Sequence, residues 1–386
     1  MNLERSRGTR DFLPEEQIVK QEILDKLRLV FELYGYSPLD SPGLERLDVL
    51  SSKYAGGSGI LKEIFSLKDQ GGRELGLRYD LTVPLARIVA MNPNLKLPFK
   101  RYHIGEVWRD GPVASARYRQ FTQCDADIVG CASMAADAEV LCLARRVFDL
   151  LNLDVKIKVS NRKLLNDVLS KFGVAQAKHM DAILSLDKLE KSGRAVVDRE
   201  LLEKGLNQDQ VDSVIGCLCF TGGNKEKLAH VQKIVGDSET INDIKELFSM
   251  LDAFKADVEF DPSLARGLTY YTGTIFEVLM QRSEVKSSVA GGGRYDKIIG
   301  QFMGKEGFPA VGISFGVDRI YDAYLENHKA GKKTVADVYV IPIKTFSYSF
   351  IVAEELRSSG IKVDIDLLQR GPSKNLQYAN ALKIPY

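Results

Sequence analysis

The chain has few of the residues that staple or metallate small proteins. Its 386 residues include five cysteines, four histidines and one tryptophan. The cysteines, Cys124, Cys131, Cys142, Cys217 and Cys219, form an odd set whose spacing matches no zinc pattern. That excludes a disulfide framework and leaves reduced, mostly buried thiols. His103, His179, His230 and His328 are scattered, so no histidine-based metal centre is expected. Neither sign of charge is in excess: 53 Lys and Arg face 52 Asp and Glu, for a net charge of +1. A strongly basic chain is thereby excluded, although a local patch can still bind nucleic acid within a neutral total. No apolar run approaches the roughly 20 residues that a membrane-spanning helix needs. The opening stretch, Met1 to Asp11, is charged and has no apolar signal region, so a cytoplasmic protein without a membrane partner is expected.

What remains is the composition of a globular protein, 45% hydrophobic and 27% charged, at a length for two or three domains. Apolar residues near helical spacing predict a helix over Pro14 to Leu33, stopped by Tyr34-Gly35-Tyr36 and by Pro38 and Pro42. From Phe65 to Gly130 the pattern is strand-like, with a helix over Thr82 to Met91 carrying Pro84 in its first turn. Two strands, Lys100 to Arg109 and Arg117 to Val129, flank Asp110 to Ala116 and predict a long antiparallel hairpin with a flexible tip. Side chains alternate across a strand. One face of the second strand therefore carries Arg117, Arg119, Phe121, Gln123, Asp125 and Asp127, the make-up of a polar ligand floor. The opposite face, from Tyr118 to Ile128, is not a simple apolar one either.

A helix is expected over Ser133 to Leu150 and a short strand over Val155 to Ser160. Residues 161–255 have helical patterning and little strand signal, which predicts an all-helical insertion. Strand signal returns at Val258, over Thr274 to Met280 and over Ser287 to Ala290, followed by a glycine-rich turn, Gly291-Gly292-Gly293. After a polar linker, Glu326 to Thr334, a β-α-β-α series from Val338 to Leu382 predicts a small α/β domain with a parallel sheet. It stops after two clear strands, so the expectation is that the sequence ends inside this domain.

Several segments carry chemistry: Gly8-Thr9-Arg10-Asp11, Leu77 to Thr82, Arg109, Arg117 to Asp127, Ala265 to Gly273, and Gly312 to Arg319. Each has a plain structural reading on its own. Asp80 and Thr82 can cap the next helix, Tyr270 and Tyr271 can be core aromatics, and the triple glycine is no P-loop because no Gly-Lys-Ser/Thr follows. Together they resemble the class II aminoacyl-tRNA synthetases, and within them the histidyl-tRNA synthetases. The segment around Pro38 and Pro42 is similar to motif 1. Val107 to Arg109 with Arg117 to Phe121 is similar to motif 2, and Gly312 to Arg319 to motif 3. Ala265 to Gly273 is similar to the histidine signature Arg-Gly-Leu-Asp-Tyr-Tyr-Thr-Gly.

The resemblance implies an α+β fold: a class II antiparallel-sheet catalytic domain (1–156 and 257–326) interrupted by a helical insertion (157–256). A linker (327–334) and a partial anticodon-binding α/β domain (335–386) follow. It implies histidine–tRNA ligase activity, with ATP, L-histidine and tRNA(His) as partners, Mg2+ carried on the ATP phosphates, and a homodimer. For ATP it implies Arg109, Arg117, Phe121 and Arg319, with Arg109 and Arg266 stabilising charge at the reacting phosphate. For histidine it implies Asp80, Thr82 and Gln123 at the α-amino end, Asp127 and Tyr271 at the two imidazole nitrogens, and Arg266, Tyr270 and Tyr295 beside them. No residue is implied as a resident metal ligand.

Two departures stand out: Thr269 replaces the signature Asp, and Ser115-Ala116 precedes Arg117 where a basic residue and Gly are common. Thr269 is expected to change orientation more than chemistry. The alternative is the regulatory subunit of ATP phosphoribosyltransferase, a non-catalytic relative that typically lacks the histidine signature and the C-terminal domain; this chain has the one nearly intact and at least begins the other.

Overall fold

The structure, a computed structural model, describes residues 3–52, 61–114, 117–266, 270–328 and 331–386. Ser115-Ala116 and Thr269 lie outside the described residues. The chain divides into two compact units, Met1–Thr9 with Lys26–Ala323, and Arg10–Asp25 with Tyr324–Tyr386.

The strands run in chain order as β1 (Ser37–Pro38), β2 (Leu44–Arg46), β3 (Ser66–Lys68), β4 (Glu74–Leu77), β5 (Phe99–Trp108), β6 (Gln120–Val129), β7 (Val155–Asn161), β8 (Glu259–Phe260), β9 (Thr274–Met280), β10 (Ala290–Arg294), β11 (Ala310–Gly316), β12 (Val338–Val340) and β13 (Val363–Ile365). In the first unit eight strands form one sheet in the order β1-β5-β6-β11-β10-β9-β7-β8. Its pairs are antiparallel except at the two edges, where β1 joins β5 and β8 joins β7 in parallel. A small sheet, β2-β4-β3, stands apart from it.

β5 and β6 form the expected hairpin, paired from Phe99↔Val129 to Trp108↔Gln120. The second strand begins at Gln120 and not at Arg117. Arg117 folds back on Ala114 through two backbone hydrogen bonds of 3.2 and 3.0 Å, and the Arg119 amide donates to the Gly8 carbonyl at 2.8 Å. One more rung survives beyond the strand, the Arg109 amide donating to the Arg119 carbonyl at 2.8 Å, and Ala114 and Arg117 form an isolated antiparallel bridge.

Alternation along β6 puts Thr122, Cys124, Ala126 and Ile128 on the face away from Phe121 and Gln123, and all four are buried. This is an ordinary core face, in contrast to the sequence expectation. On β11 the Phe315 ring lies 5.7 Å from Phe31 and 5.9 Å from Phe148. Phe148 belongs to the helix Met134–Leu151, whose N-cap Ser133 accepts from the Ala135 amide. Helix packing on that side leaves the other face of the sheet free to hold polar groups.

The glycine-rich segment is also not a turn. Gly291, Gly292 and Gly293 lie inside β10, between β9 and β11. Side chains are excluded there by close approach. A Cβ on Gly291 would sit 1.8 Å from Arg266 Nη1, and one on Gly292 would sit 2.0 Å from the Gly312 carbonyl oxygen.

β7 runs to Asn161, so the wholly helical stretch starts at Arg162 and ends at Ala253. Its helices bury apolar stripes such as Leu164, Leu165, Val168 and Leu169, and several are capped by side chains. Asn207 and Gln210 form a reciprocal capping box.

In the second unit β12 and β13 pair in parallel, accompanied by helices Phe346–Ser358 and Pro372–Ala381. The buried Asp366 accepts from Asn375 Nδ2 at 3.0 Å and from Arg370 Nε at 2.9 Å, which ties the end of the sheet to the second helix. Residues 10–25 group with this unit rather than with the sheet they precede in sequence. Among the described residues no helix is long and apolar enough to cross a membrane.

Candidate active site

The hairpin, the Leu77–Thr82 segment and strands β10 and β11 enclose a cavity of about 300 Å3. Asp80, Thr82, Arg109, Arg117, Phe121, Gln123, Arg266, Tyr270, Tyr271 and Arg319 all line it. Ten of the expected site residues, from five separate stretches of sequence, therefore meet in one place. Two do not reach it. Asp127 lies beneath the cavity, where one oxygen accepts from the Tyr295 hydroxyl and the other is 2.8 Å from Arg101 Nη2. Tyr295 is likewise absent from the lining.

Asp125, one alternation step nearer the tip, does line the cavity. The resemblance points past it to Asp127, although strand alternation puts it on the ligand face. Ser314 and Asp318, inside the Gly312–Arg319 segment, also line the cavity, as do Glu63 and Ser288, which carry no sequence signal of their own.

The cavity is graded along β6. Near the tip stand the cations. Arg109 donates from Nε to the Tyr79 carbonyl at 3.0 Å and lies 5.2 Å from the Phe121 ring centroid. Arg319 donates to the Ser288 carbonyl at 2.8 Å; Arg266, which donates to the Phe276 carbonyl at 2.8 Å, stands deeper, beside Gly291 and so level with Ser314 and Asp125 across the sheet. Arg117, at the rim, is half-exposed and pairs loosely with Glu63 at 3.3 Å. Burial, and then the charges of Arg109 and Arg117, lower the Arg319 pKa from its usual range, with Arg266 adding to the effect. Guanidiniums that repel one another around one space make a strong site for a polyanion.

Further along the strand the groups become acceptors and aromatics. Two alternation steps put Asp125 about 13 Å from Phe121. Gln123 donates from Nε2 to Ser314 Oγ at 2.7 Å, which leaves its Oε1 buried without a hydrogen-bond partner; Asp125 Oδ1 is open in the same way. Tyr270 and Tyr271 stand with ring centroids 4.7 Å apart, and Arg266 lies 5.5 Å from the Tyr271 ring. Asp80 accepts from the Val83 amide at 3.0 Å, so it caps the helix Thr82–Met91 while also facing the cavity.

Burial pushes the Asp125 carboxyl up to about 7; Arg101 opposes the rise, and the neighbouring Asp127 adds to it. Burial also raises Asp80, Tyr270 and Tyr271. Open buried acceptors beside phenols suit a ligand rich in N–H donors, and a titratable acid shifted toward neutrality is common in functional sites.

Among the described residues no group of three or more His, Cys, Asp or Glu side chains could hold a metal ion.

Comparison with known proteins gives a consistent result. Residues 8–320 match the family model described as histidyl-tRNA synthetase, and residues 337–386 match the anticodon binding domain. The chain is 44% identical to histidine–tRNA ligase 1 of Bacillus cereus, over all of this chain and 91% of that protein. It is 41% identical to the histidine–tRNA ligase of Aeropyrum pernix, over 98% of this chain and 88% of that one. A crystal structure of histidyl-tRNA synthetase from Nostoc superposes with a TM-score of 0.87 at 30% identity, covering 100% of this chain and 90% of that one. A Bacillus halodurans structure titled ATP phosphoribosyltransferase regulatory subunit/histidyl-tRNA synthetase gives 0.83 at 22% identity, covering 98% and 96%; this is a likeness of fold.

Proposed function

The chain belongs to the histidyl-tRNA synthetase family, and from that premise we propose how its cavity works as a histidine–tRNA ligase. The observation that carries the reading is the grading of one cavity, with guanidiniums at the tip of β6 and open acceptors and phenols further along it. ATP occupies the first part and histidine the second.

Arg117 takes the outer phosphates and Arg109 the α-phosphate, while adenine stacks on Phe121 with Arg319 over its other face. Asp80, Thr82 and Gln123 hold the substrate ammonium. The imidazole lies between Asp125 and the tyrosine pair. Asp127, the acid that the resemblance implies, belongs to the same wall: its Oδ2, 2.8 Å from Arg101, is buried without a hydrogen-bond partner, as Asp125 Oδ1 is one step nearer the tip. An acid and a phenol on opposite nitrogens select imidazole over rings without two polar edges.

The histidine carboxylate attacks the α-phosphorus in line, and the bond to the bridging oxygen breaks to release pyrophosphate. Arg109 and Arg266 face the charge that develops there, so the chain contributes position and positive charge rather than a covalent intermediate. Mg2+, bound to the phosphates, supplies further neutralisation. The terminal ribose hydroxyl of tRNA(His) then attacks the acyl carbon, and AMP leaves. The C-terminal unit is assigned to the anticodon end of the tRNA. The segment around Pro38 to Pro42 is assigned to a homodimer interface; β1 there is the last strand at one edge of the sheet, and the nearby Leu44 is 49% exposed. A cytoplasmic location belongs to the same reading.

The test is histidine-dependent exchange of labelled pyrophosphate into ATP. Exchange specific to histidine is the expected result; its absence in the folded chain favours the regulatory-subunit reading.

A further inference from the structure

The segment that opens at Gly8 does not line the cavity, yet its first residue touches the hairpin tip, which does. Ser6 to Thr9 form a tight turn. The Ser6 carbonyl accepts from the Thr9 amide at 3.1 Å and from the Thr9 hydroxyl at 2.8 Å, and Gly8 has a φ of +81°. A type II turn needs a positive φ at its third residue, which glycine adopts without strain. The turn presents the Gly8 carbonyl to the start of β6, where it accepts from the Arg119 amide at 2.8 Å and the Gln120 amide at 3.4 Å.

That contact alters the hairpin. The register that pairs Trp108 with Gln120 puts Arg109 opposite Arg119. A hydrogen-bonded antiparallel pair exchanges two bonds. Here the Arg109 amide donates to the Arg119 carbonyl at 2.8 Å, but the returning bond from Arg119 goes to Gly8. The Arg119 side chain carries the tie to the other arm of the tip: Nε donates to the Gly111 carbonyl at 3.2 Å, and the guanidinium pairs with Asp110 at 3.1 Å. Gly8 is wedged against both arms, since a Cβ there would lie 2.8 Å from Arg119 Cγ and 2.9 Å from Val113 Cγ2. The tip so held gives Gly111, Pro112, Arg117 and Tyr118 to the cavity wall. Arg117 is not fixed by its own packing. Its side chain is half-exposed and its pair with Glu63, at 3.3 Å, is a loose one, so its place follows from the backbone beside Arg119.

We propose that the turn Ser6–Thr9 is a positioning element for the ATP end of the cavity: it holds the hairpin tip where Arg117 meets the outer phosphates. The inference rests on the assignment of Arg117 given above.

The experiment is a double-mutant cycle between Gly8→Ala and Arg117→Ala in the full chain. KM for ATP, for pyrophosphate and for histidine are read from the exchange reaction. Gly8→Ala presses a methyl on Arg119 and Val113 and strains the turn. KM for ATP and KM for pyrophosphate should rise together by about tenfold, with histidine KM within about twofold. Inhibition by AMP, which lacks the outer phosphates, should also stay within about twofold of the parent. In the Arg117→Ala background Gly8→Ala should add less than about twofold, because the group that it displaces is already gone. Thr9→Val, which removes only the hydroxyl bond to Ser6, should show a smaller rise of the same pattern, and Thr9→Ser should keep the parent values. This pair carries the cycle should Gly8→Ala not fold. Equal rises for ATP and histidine, effects that multiply in the cycle, or unchanged KM for ATP and pyrophosphate in the folded variants would overturn the proposal. The underlying assignment fails separately, by an Arg117→Ala chain that keeps the parent KM for ATP and pyrophosphate.

Discussion

At the scale of single residues the cavity divides into groups that meet charge and groups that read shape. Replacing Arg266 by Ala removes the cation assigned above to the reacting phosphate; under that assignment exchange should fall by about 10²–10³-fold, with the drop in kcat exceeding any rise in ATP KM. Asp125→Asn should raise histidine KM by about tenfold or more and leave ATP KM within about twofold. The pH dependence has a definite sign. Burial raises the Asp125 pKa to about 7, so the carboxyl is protonated below that pH and ionised above it. Histidine affinity should therefore rise as pH increases through about 7; the substrate imidazole titrates alike in both chains, so the profile of Asp125→Asn should lose only the part owed to the carboxyl. An unchanged profile in the variant would reassign the titrating group. The period of two along β6 makes Phe121, Gln123 and Asp125 legible as one face from the order of residues alone. It does not show where the cavity ends along that face. The end is set by the neighbouring strand: Gly312 on β11 lies opposite Asp127, and a Cβ there would sit 1.9 Å from the carboxylate. Asp127 is thus packed against main chain and below the open space.

At the scale of elements, helices are easier to anticipate than strand boundaries. Pro14–Leu33 and Thr82–Met91 have the limits their spacing implies, because an apolar stripe averages out local exceptions. β10 reads as a turn in the sequence because glycine's local signal favours turns, whereas its use here is set by neighbours far away along the chain. That origin gives a test. Gly291→Ala places a methyl where Arg266 Nη1 now lies, so the guanidinium must move. Exchange should drop toward the level of Arg266→Ala, with a stability loss of about 1–3 kcal/mol by thermal unfolding. Full activity in that variant would mean that Arg266 works from another position.

For the whole molecule, the sequence announces the order of the parts but not which of them associate. Residues 10–25 read as the opening of the catalytic part, and the family match begins at residue 8; in the structure they group with residues 324–386. No local pattern encodes that choice, since an amphipathic helix presents the same stripe to any apolar partner. Deleting residues 337–386 should therefore leave residues 10–25 short of their partner and lower the Tm, as a scanning calorimeter would show. If the assigned interface holds, the intact chain should sediment at twice its 43.0 kDa mass at micromolar concentration; a persistent monomer would contradict the interface. The bare strand β10 has a last consequence for redesign. Gly291 lines the cavity, so a ligand there would face peptide groups, and mutation cannot give that wall a new chemical character without first displacing Arg266. Any attempt to change which amino acid is accepted must work through β6 and the tyrosine pair, so altered specificity has a narrow route in this fold.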